Sequence, residues 1–217
     1  MTQKSNNLWW KLVEFGFRLL YHEMAFTYDL VSYGVSLGQW RTWQRTALNY
    51  LPDSNAGTIL EIAHGTGNLQ LDLHTAGYDS IAYDFSAQMG RIASAKLERH
   101  AISGKFARGK AQELPFADNS FPAIVTTFPT NFIIQPETLQ EAYRVLQSDG
   151  ILIAVLNGTL TGGNALTGFI EWLYSITGQR ERENTSPSDF FAGYGFDVEA
   201  IRVDCGASEA HLVILRK

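Results

Sequence analysis

The feature that most constrains this chain is a short apolar run, Thr58 to Ile62 (TILEI), that stops at the glycine turn Gly65-Thr66-Gly67 and resumes as a helical pattern from Leu69 to Ala76. A strand, a tight turn and a helix in that order commit the chain to a βαβ crossover, and the rest of the sequence repeats the alternation. Ser80 to Tyr83 reads as a second strand, and Ser86 caps a helix running to about His100. Gly77 is placed as the stop of the preceding helix. Gly104 to Ala107 is a third strand, and Ala123 to Phe128 (AIVTTF) a fourth, rich in β-branched residues. Glu137 to Leu146 is a helix closed by a Ser148-Asp149-Gly150 turn, and Ile151 to Leu156 is an apolar central strand. Asn157 to Gly163 reads as a Gly- and Thr-rich stretch, Ala165 to Thr177 as helix, and Gln179 to Ser188 as charged loop. Phe196 to Val203 and Ala210 to Leu215 are two strands around an Asp204-to-Glu209 turn. The expected fold is α/β: a doubly wound, mostly parallel seven-stranded sheet with an antiparallel C-terminal hairpin. Residues 1–55 lack a strand pattern and are expected to form a helical N-terminal cap, with residues 56–217 as the main domain.

Composition narrows the partners. Hydrophobic residues are 45% and charged ones 18% of 217 residues, which suffices for one substantial core. The formal net charge is -5, and no basic run is available to neutralise phosphates, which argues against a nucleic-acid partner. A single cysteine, Cys205, excludes an internal disulfide and a cysteine-based zinc site; no metal is expected. The aromatic N-terminus is interrupted by Lys11, Glu14 and Arg18, whereas a membrane span needs about 20 predominantly apolar residues. The expectation is a cytoplasmic protein, at most peripheral to a membrane.

The glycine turn carries the chemistry. Gly65 and Gly67 remove Cβ atoms that would keep a ligand off the backbone. Asp84, at the tip of the second strand, can accept hydrogen bonds from a ribose diol. A dinucleotide fingerprint places a third glycine where this chain has Gln70, so pyrophosphate binding is disfavoured. Glu61, beside the turn, would repel a pyrophosphate and suits instead the amino and sulfonium charges of S-adenosylmethionine.

LEIAHGTGNL resembles the LDLGCGTG motif of class I S-adenosylmethionine-dependent methyltransferases, and AYDFSAQM resembles their GVDxSxxM segment. AQELPFADNSFPAIV is similar to AExLPFxDxSFDxVV, and EAYRVLQSDGILIAV to the pattern ending in RVLKPGGxLxI. Upstream, FTYDLVSYGVSLGQWRTWQR resembles a segment that precedes the core in the ubiquinone and menaquinone biosynthesis group. The resemblance implies a Rossmann-like methyltransferase fold, S-adenosylmethionine as cofactor and S-adenosylhomocysteine as product. It implies that Glu61 faces the methionine end and that the Ala63, His64, Gly65, Thr66 and Gly67 backbone cradles it. It also implies that Asp84 holds the ribose, that Phe85 and Met89 pack on the adenine, that Ala111 and Gln112 meet its edge, and that Phe128 lies near the transferable methyl. Ala63 departs from the family's first glycine, His64 from a small residue or cysteine, and Lys110 and Pro122 from common aspartates.

The reaction so implied is in-line methyl displacement onto a small, hydrophobic or lipid-like acceptor. Orientation supplies much of the rate, and a base is needed only if the nucleophile must lose a proton. His22, Tyr28 and Tyr33 are the candidates for the catalytic end. His64 and His74 read better as packing and surface residues, and Asn131 as a loop residue able to reach a substrate. Leu8, Leu12, Phe15, Leu19 and Leu20 recur at helical spacing, so the N-terminal helix reads as a core-packed helix, as a substrate lid, or as a weak membrane-surface anchor through Lys4, Lys11 and Arg18. Two other functions stay open at this point: a non-catalytic S-adenosylmethionine-binding protein and an NAD-dependent dehydrogenase.

Overall fold

A computed structural model of the chain describes residues 32–34, 36–161, 191 and 193–217. Its centre is a seven-stranded sheet of β1 (Ile59–Ile62), β2 (Ser80–Asp84), β3 (Lys105–Arg108), β4 (Phe121–Thr127), β5 (Leu146–Leu160), β6 (Asp197–Asp204) and β7 (Ser208–Arg216). The strand order is β3-β2-β1-β4-β5-β7-β6. The first five strands pair in parallel, and β7 lies antiparallel between β5 and β6. The helices are α1 (Trp40–Arg45), α2 (Asn68–Thr75), α3 (Ala87–Arg99) and α4 (Pro136–Val145), with 3-10 turns at Thr46–Tyr50 and Asn131–Ile134. Local signals set their ends. The Ser86 hydroxyl accepts from the Met89 N–H at 3.3 Å, Pro136 opens α4, and Gly77 leaves α2 at φ +84°.

Both faces of the sheet are covered, as the continuous apolar runs require. On one face Leu139, Ala142 and Val145 of α4 pack on Leu60, Ile124 and Leu152. On the other, Leu69 and Leu73 of α2 pack with Ile59, Val125, Ile153 and Trp43. The segment from 40 to 50 is built into this second core: Trp43 is 1% exposed, and its indole N–H donates to the Ser208 hydroxyl at 3.0 Å. Arg41 and Arg45 of α1 both reach the Asp72 carboxylate of α2 at 2.8 Å. Burial raises the proton affinity of Asp72, but the two guanidinium groups overcome it and hold the carboxyl below its ordinary value.

The structure differs from the sequence reading most in β5. The expected Ser148-Asp149-Gly150 turn sits inside this strand as a bulge. Phe121 pairs with Leu146 and Ala123 with Ile151, so the intervening residues loop out opposite Pro122, with Asp149 at φ +64°. Pro122 has no N–H to give the ladder, which explains why the pairing yields there. At the other end, Asn157 to Leu160 continue the strand because β7 is long enough to pair with them, His211 through Ser208. The expected helix at Ala165 to Thr177 and loop at Gln179 to Ser188 lie outside the described residues. Among the described residues no helix is long and apolar enough to cross a membrane, and no cluster of His, Cys, Asp or Glu could hold a metal ion.

Candidate functional site

β1 and β4 are neighbours in the sheet, yet the chain leaves β1 for α2 on one face and β4 for α4 on the other. Such a switch point opens a crevice beyond the carboxyl ends of the strands. A cavity of about 520 Å³ lies there, lined by the ends of β1, β2 and β4 and by the loops that follow β3 and β4.

Its floor is the turn after β1, which needs three left-handed residues: Ala63 at φ +60°, Gly65 at +54° and Gly67 at +78°. The two glycines do different work. A Cβ on Gly65 would meet nothing within 4 Å, so this backbone is open. A Cβ on Gly67 would lie 2.7 Å from the Cβ of Ala93; glycine here admits α3, which corrects the expectation that both glycines bare the backbone for a ligand. Ala63 holds a conformation that costs a residue with a Cβ about 1–2 kcal/mol. Ala63→Gly should therefore stabilise the fold by about 0.5–1 kcal/mol after the entropy of the freer chain is subtracted. Calorimetric melting checks this; a lower melting temperature would show that the turn is not strained at Ala63.

Asp84 clamps this turn to the tip of β2. Its Oδ2 accepts from the Gly65 N–H at 3.0 Å, and its Oδ1 accepts from the Ser86 N–H at 2.7 Å. Each oxygen keeps acceptor capacity, so the carboxylate can take further donors such as a pair of hydroxyls. Around it, Ala63, Gly65, Phe85, Met89, Ala111, Gln112 and Phe128 line the cavity. Phe85 is 56% exposed at the rim, whereas Met89 is buried.

Four of the residues expected at the site, Glu61, His64, Thr66 and Gly67, lie behind the turn and do not line the cavity. Glu61 is 1% exposed; its Oε2 accepts from the Gln70 side-chain amide at 2.7 Å, and its buried Oε1 has no partner among the described residues. Burial raises its carboxyl to about 8 against the opposing Gln70 hydrogen bond, with Asp84 and Asp72 adding repulsion. His64 donates from Nδ1 to the Gly65 carbonyl at 2.8 Å and packs edge-on against Phe106. Burial lowers its pKa despite the pull of Asp84, so the ring is neutral packing.

Of the candidates for the catalytic end, His22 and Tyr28 lie outside the described residues. Tyr33 is 66% exposed and does not line the cavity, nor do His74 and Asn131. The wall also includes Lys110, noted above as a departure from a common aspartate, and Ile62, Tyr83, Ser86, Gly109, Thr127, Pro129, Thr130 and Phe132, which sequence reasoning missed. Most directly follow or precede a recognised strand end, a usable signal, since open α/β sheets place ligands there. α1 backs this wall: Trp40 stacks on Phe128 with ring centroids 3.7 Å apart, and the Gln44 amide donates to the Thr127 hydroxyl at 3.0 Å. A strand-tip carboxylate with spare acceptor capacity, an open backbone turn and apolar walls together suit a small ligand that carries hydroxyl groups and a flat apolar part.

Residues 12–178 match the model of the ubiE/COQ5 methyltransferase family. A demethylmenaquinone methyltransferase of Renibacterium salmoninarum is 31% identical over 185 residues, covering 84% of this chain and 75% of the relative. A ubiquinone/menaquinone biosynthesis C-methyltransferase of Geotalea daltonii is 30% identical over 151 residues, covering 66% of this chain and 64% of the relative. The chain spans from about half to three quarters of the length of the curated relatives it matches. Among solved structures, a SAM-dependent methyltransferase of Thermotoga maritima superposes with a TM-score of 0.60 at 20% identity, covering 88% of this chain and 94% of that one. At that identity the likeness speaks for the fold alone.

Proposed function

The chain belongs to the ubiE/COQ5 methyltransferase family, and from that membership we propose that it is an S-adenosylmethionine-dependent methyltransferase acting on a quinone-type small molecule with apolar character. The observation that carries the reading is the Asp84 clamp on the Gly65 turn, at the floor of an apolar-walled cavity. Glu61 stays buried behind the turn and does not line the cavity, so the turn's backbone rather than this carboxyl meets a cationic amino acid moiety. The open face at Gly65 leaves room for that moiety to approach the backbone.

In this reading Asp84 accepts the ribose hydroxyls, Phe85 and Met89 pack on the adenine, and Ala111 and Gln112 meet its edge. The turn formed by Ala63, His64, Gly65, Thr66 and Gly67 cradles the methionine end, with Glu61 buried behind it. When bound, S-adenosylmethionine supplies an electrophilic methyl group on a positively charged sulfur. Phe128, braced by Trp40, and Pro129 form the apolar wall on the acceptor side, where they exclude water and restrict the acceptor's orientation. Nothing favours the dehydrogenase reading: the Gln70 side chain is turned inward to Glu61, where a dinucleotide turn has glycine.

Calorimetric titration tests the cofactor. S-adenosylmethionine and S-adenosylhomocysteine should bind, with NAD binding far more weakly; NAD binding without either adenosyl ligand would falsify the reading.

A further inference from the structure

The chain leaves β3 through a tight turn, Lys110 to Glu113, closed by the Glu113 N–H donating to the Lys110 carbonyl at 3.1 Å. Ala111 and Gln112, between these two residues, line the cavity. The carbonyls at both ends of the turn converge on one side chain of β2. The Tyr83 hydroxyl lies 3.2 Å from the Lys110 oxygen and 3.4 Å from that of Glu113, and its single proton is shared between them. Among the described residues no other side chain reaches these two carbonyls. The flanks are held separately: the Gly109 N–H donates to the Asp84 carbonyl at 3.2 Å, and Glu141 and Arg144 of α4 bind the Leu114 N–H and carbonyl at 2.7 and 3.0 Å. Tyr83 is 1% exposed, with its ring edge-on to Phe116. A phenylalanine would serve that packing equally well, so the hydroxyl is the part that needs a role. Gly109 points to the same group. Its φ is not in the left-handed region, yet a Cβ there would collide with the Tyr83 oxygen, so glycine at 109 admits the hydroxyl rather than bending the chain.

We infer that Tyr83 is a positioning residue: its hydroxyl fixes the height of the Lys110-to-Glu113 turn over the end of β2, and so the separation between Asp84 and the wall at Ala111 and Gln112. The inference rests on the S-adenosylmethionine reading above and deepens it. Tyr83 and Asp84 are consecutive in β2, so the carboxylate assigned to the ribose and the wall assigned to the adenine are both set from the same strand end. A ribose and its base are joined by a single glycosidic bond, which leaves little latitude in the spacing of the groups that hold them. A turn already held at that spacing spares the ordering that binding would otherwise have to supply. Without the hydroxyl the two carbonyls lose their shared donor and the turn is free to shift, while Asp84 keeps its bonds to the Gly65 and Ser86 N–H groups.

The test uses the full chain with Tyr83→Phe, which keeps the ring and removes the hydroxyl. Adenosine and S-adenosylhomocysteine are titrated calorimetrically against wild type and variant, and amide hydrogen exchange is followed without ligand. Both ligands should bind the variant about three- to tenfold more weakly, by the same factor, because the loss lies on the base side that they share. Exchange at the Glu113 N–H should accelerate, while the Gly65 N–H held by Asp84 should exchange as in wild type. Unchanged affinity for both ligands, even with a lower melting temperature, overturns the positioning role, and so does unchanged exchange at Glu113. A loss for S-adenosylhomocysteine without one for adenosine overturns it too, since the tail and not the base would then be affected. Gly109→Ala is the second variant. Its Cβ takes the space of the hydroxyl, so the equal loss for the two ligands should recur, and wild-type affinity there also overturns the proposal. Wild-type protein that binds neither ligand would overturn the cofactor reading and this inference with it. Accelerated Glu113 exchange in Tyr83→Phe would still report the hydrogen bond, which distinguishes the two failures.

Discussion

Asp84→Ala should weaken S-adenosylmethionine binding by about ten- to a hundredfold, because hydrogen bonds to a charged acceptor contribute about 1.5–3 kcal/mol. The variant should also lose stability. The carboxylate accepts the Gly65 and Ser86 N–H groups, so its removal frees the turn that forms the cavity floor. Asp84→Asn separates the two effects: it keeps the shape and one acceptor oxygen, so melting should recover more than affinity does. Titration calorimetry beside thermal melting reads both. Wild-type affinity in Asp84→Ala would show that the ligand's ribose lies elsewhere.

The largest stability loss is expected at Trp43. Its ring is fully buried between the sheet and α1, and no Cβ could be accommodated at Gly158 beside the indole. Truncating a buried tryptophan costs about 3–5 kcal/mol through lost transfer energy and the cavity left behind. Trp43→Ala also deprives the Ser208 hydroxyl of a buried donor, leaving it, among the described residues, its contact with Gln39. Trp43→Phe, which retains most of the volume, should cost much less. Denaturant unfolding at constant slope checks both. A loss under about 1 kcal/mol in Trp43→Ala would mean that the 40–50 segment is not part of the cooperative core. Because α1 also carries Trp40 against Phe128, Trp43→Ala should impair the acceptor side of the cavity more than the nucleotide side.

The βα rhythm from Thr58 onward was legible because each strand end carries its own signal: the Gly65-Thr66-Gly67 turn, the Ser86 cap and the glycine at 77. Asp84 was legible as an acid at a strand tip, for the same reason. What escaped the sequence was non-local. Nothing near Asn157 announces that β7 will extend β5 past it, since that pairing is set by a strand some fifty residues away. The buried hydrogen bonds from Ser80 through Gln70 to Glu61 are likewise invisible in one dimension, because Gln70 seen alone is only a departure from a glycine. His64 was legible as packing, but the burial of Thr66 behind the turn could not be read. Local pattern shows that a turn is tight, but not which of its side chains face inward. Phe128 at φ +51° and the Pro129-Thr130 pair show the same limit: a strand's end is marked by composition, the path beyond it by packing.

Isotope transfer tests methyl transfer to a quinone-type acceptor most directly. The full chain is incubated with S-[methyl-²H₃]adenosylmethionine and a reduced, prenylated naphthoquinone lacking the ring methyl, dispersed in detergent, and the products are resolved by mass spectrometry. The account predicts a trideuteromethyl group on the quinone ring, S-adenosylhomocysteine formed in equal amount, and loss of both at sub-saturating cofactor in Asp84→Ala. Tight S-adenosylmethionine binding with no label reaching that ring, or label appearing only on an amine acceptor offered alongside it, would contradict the account.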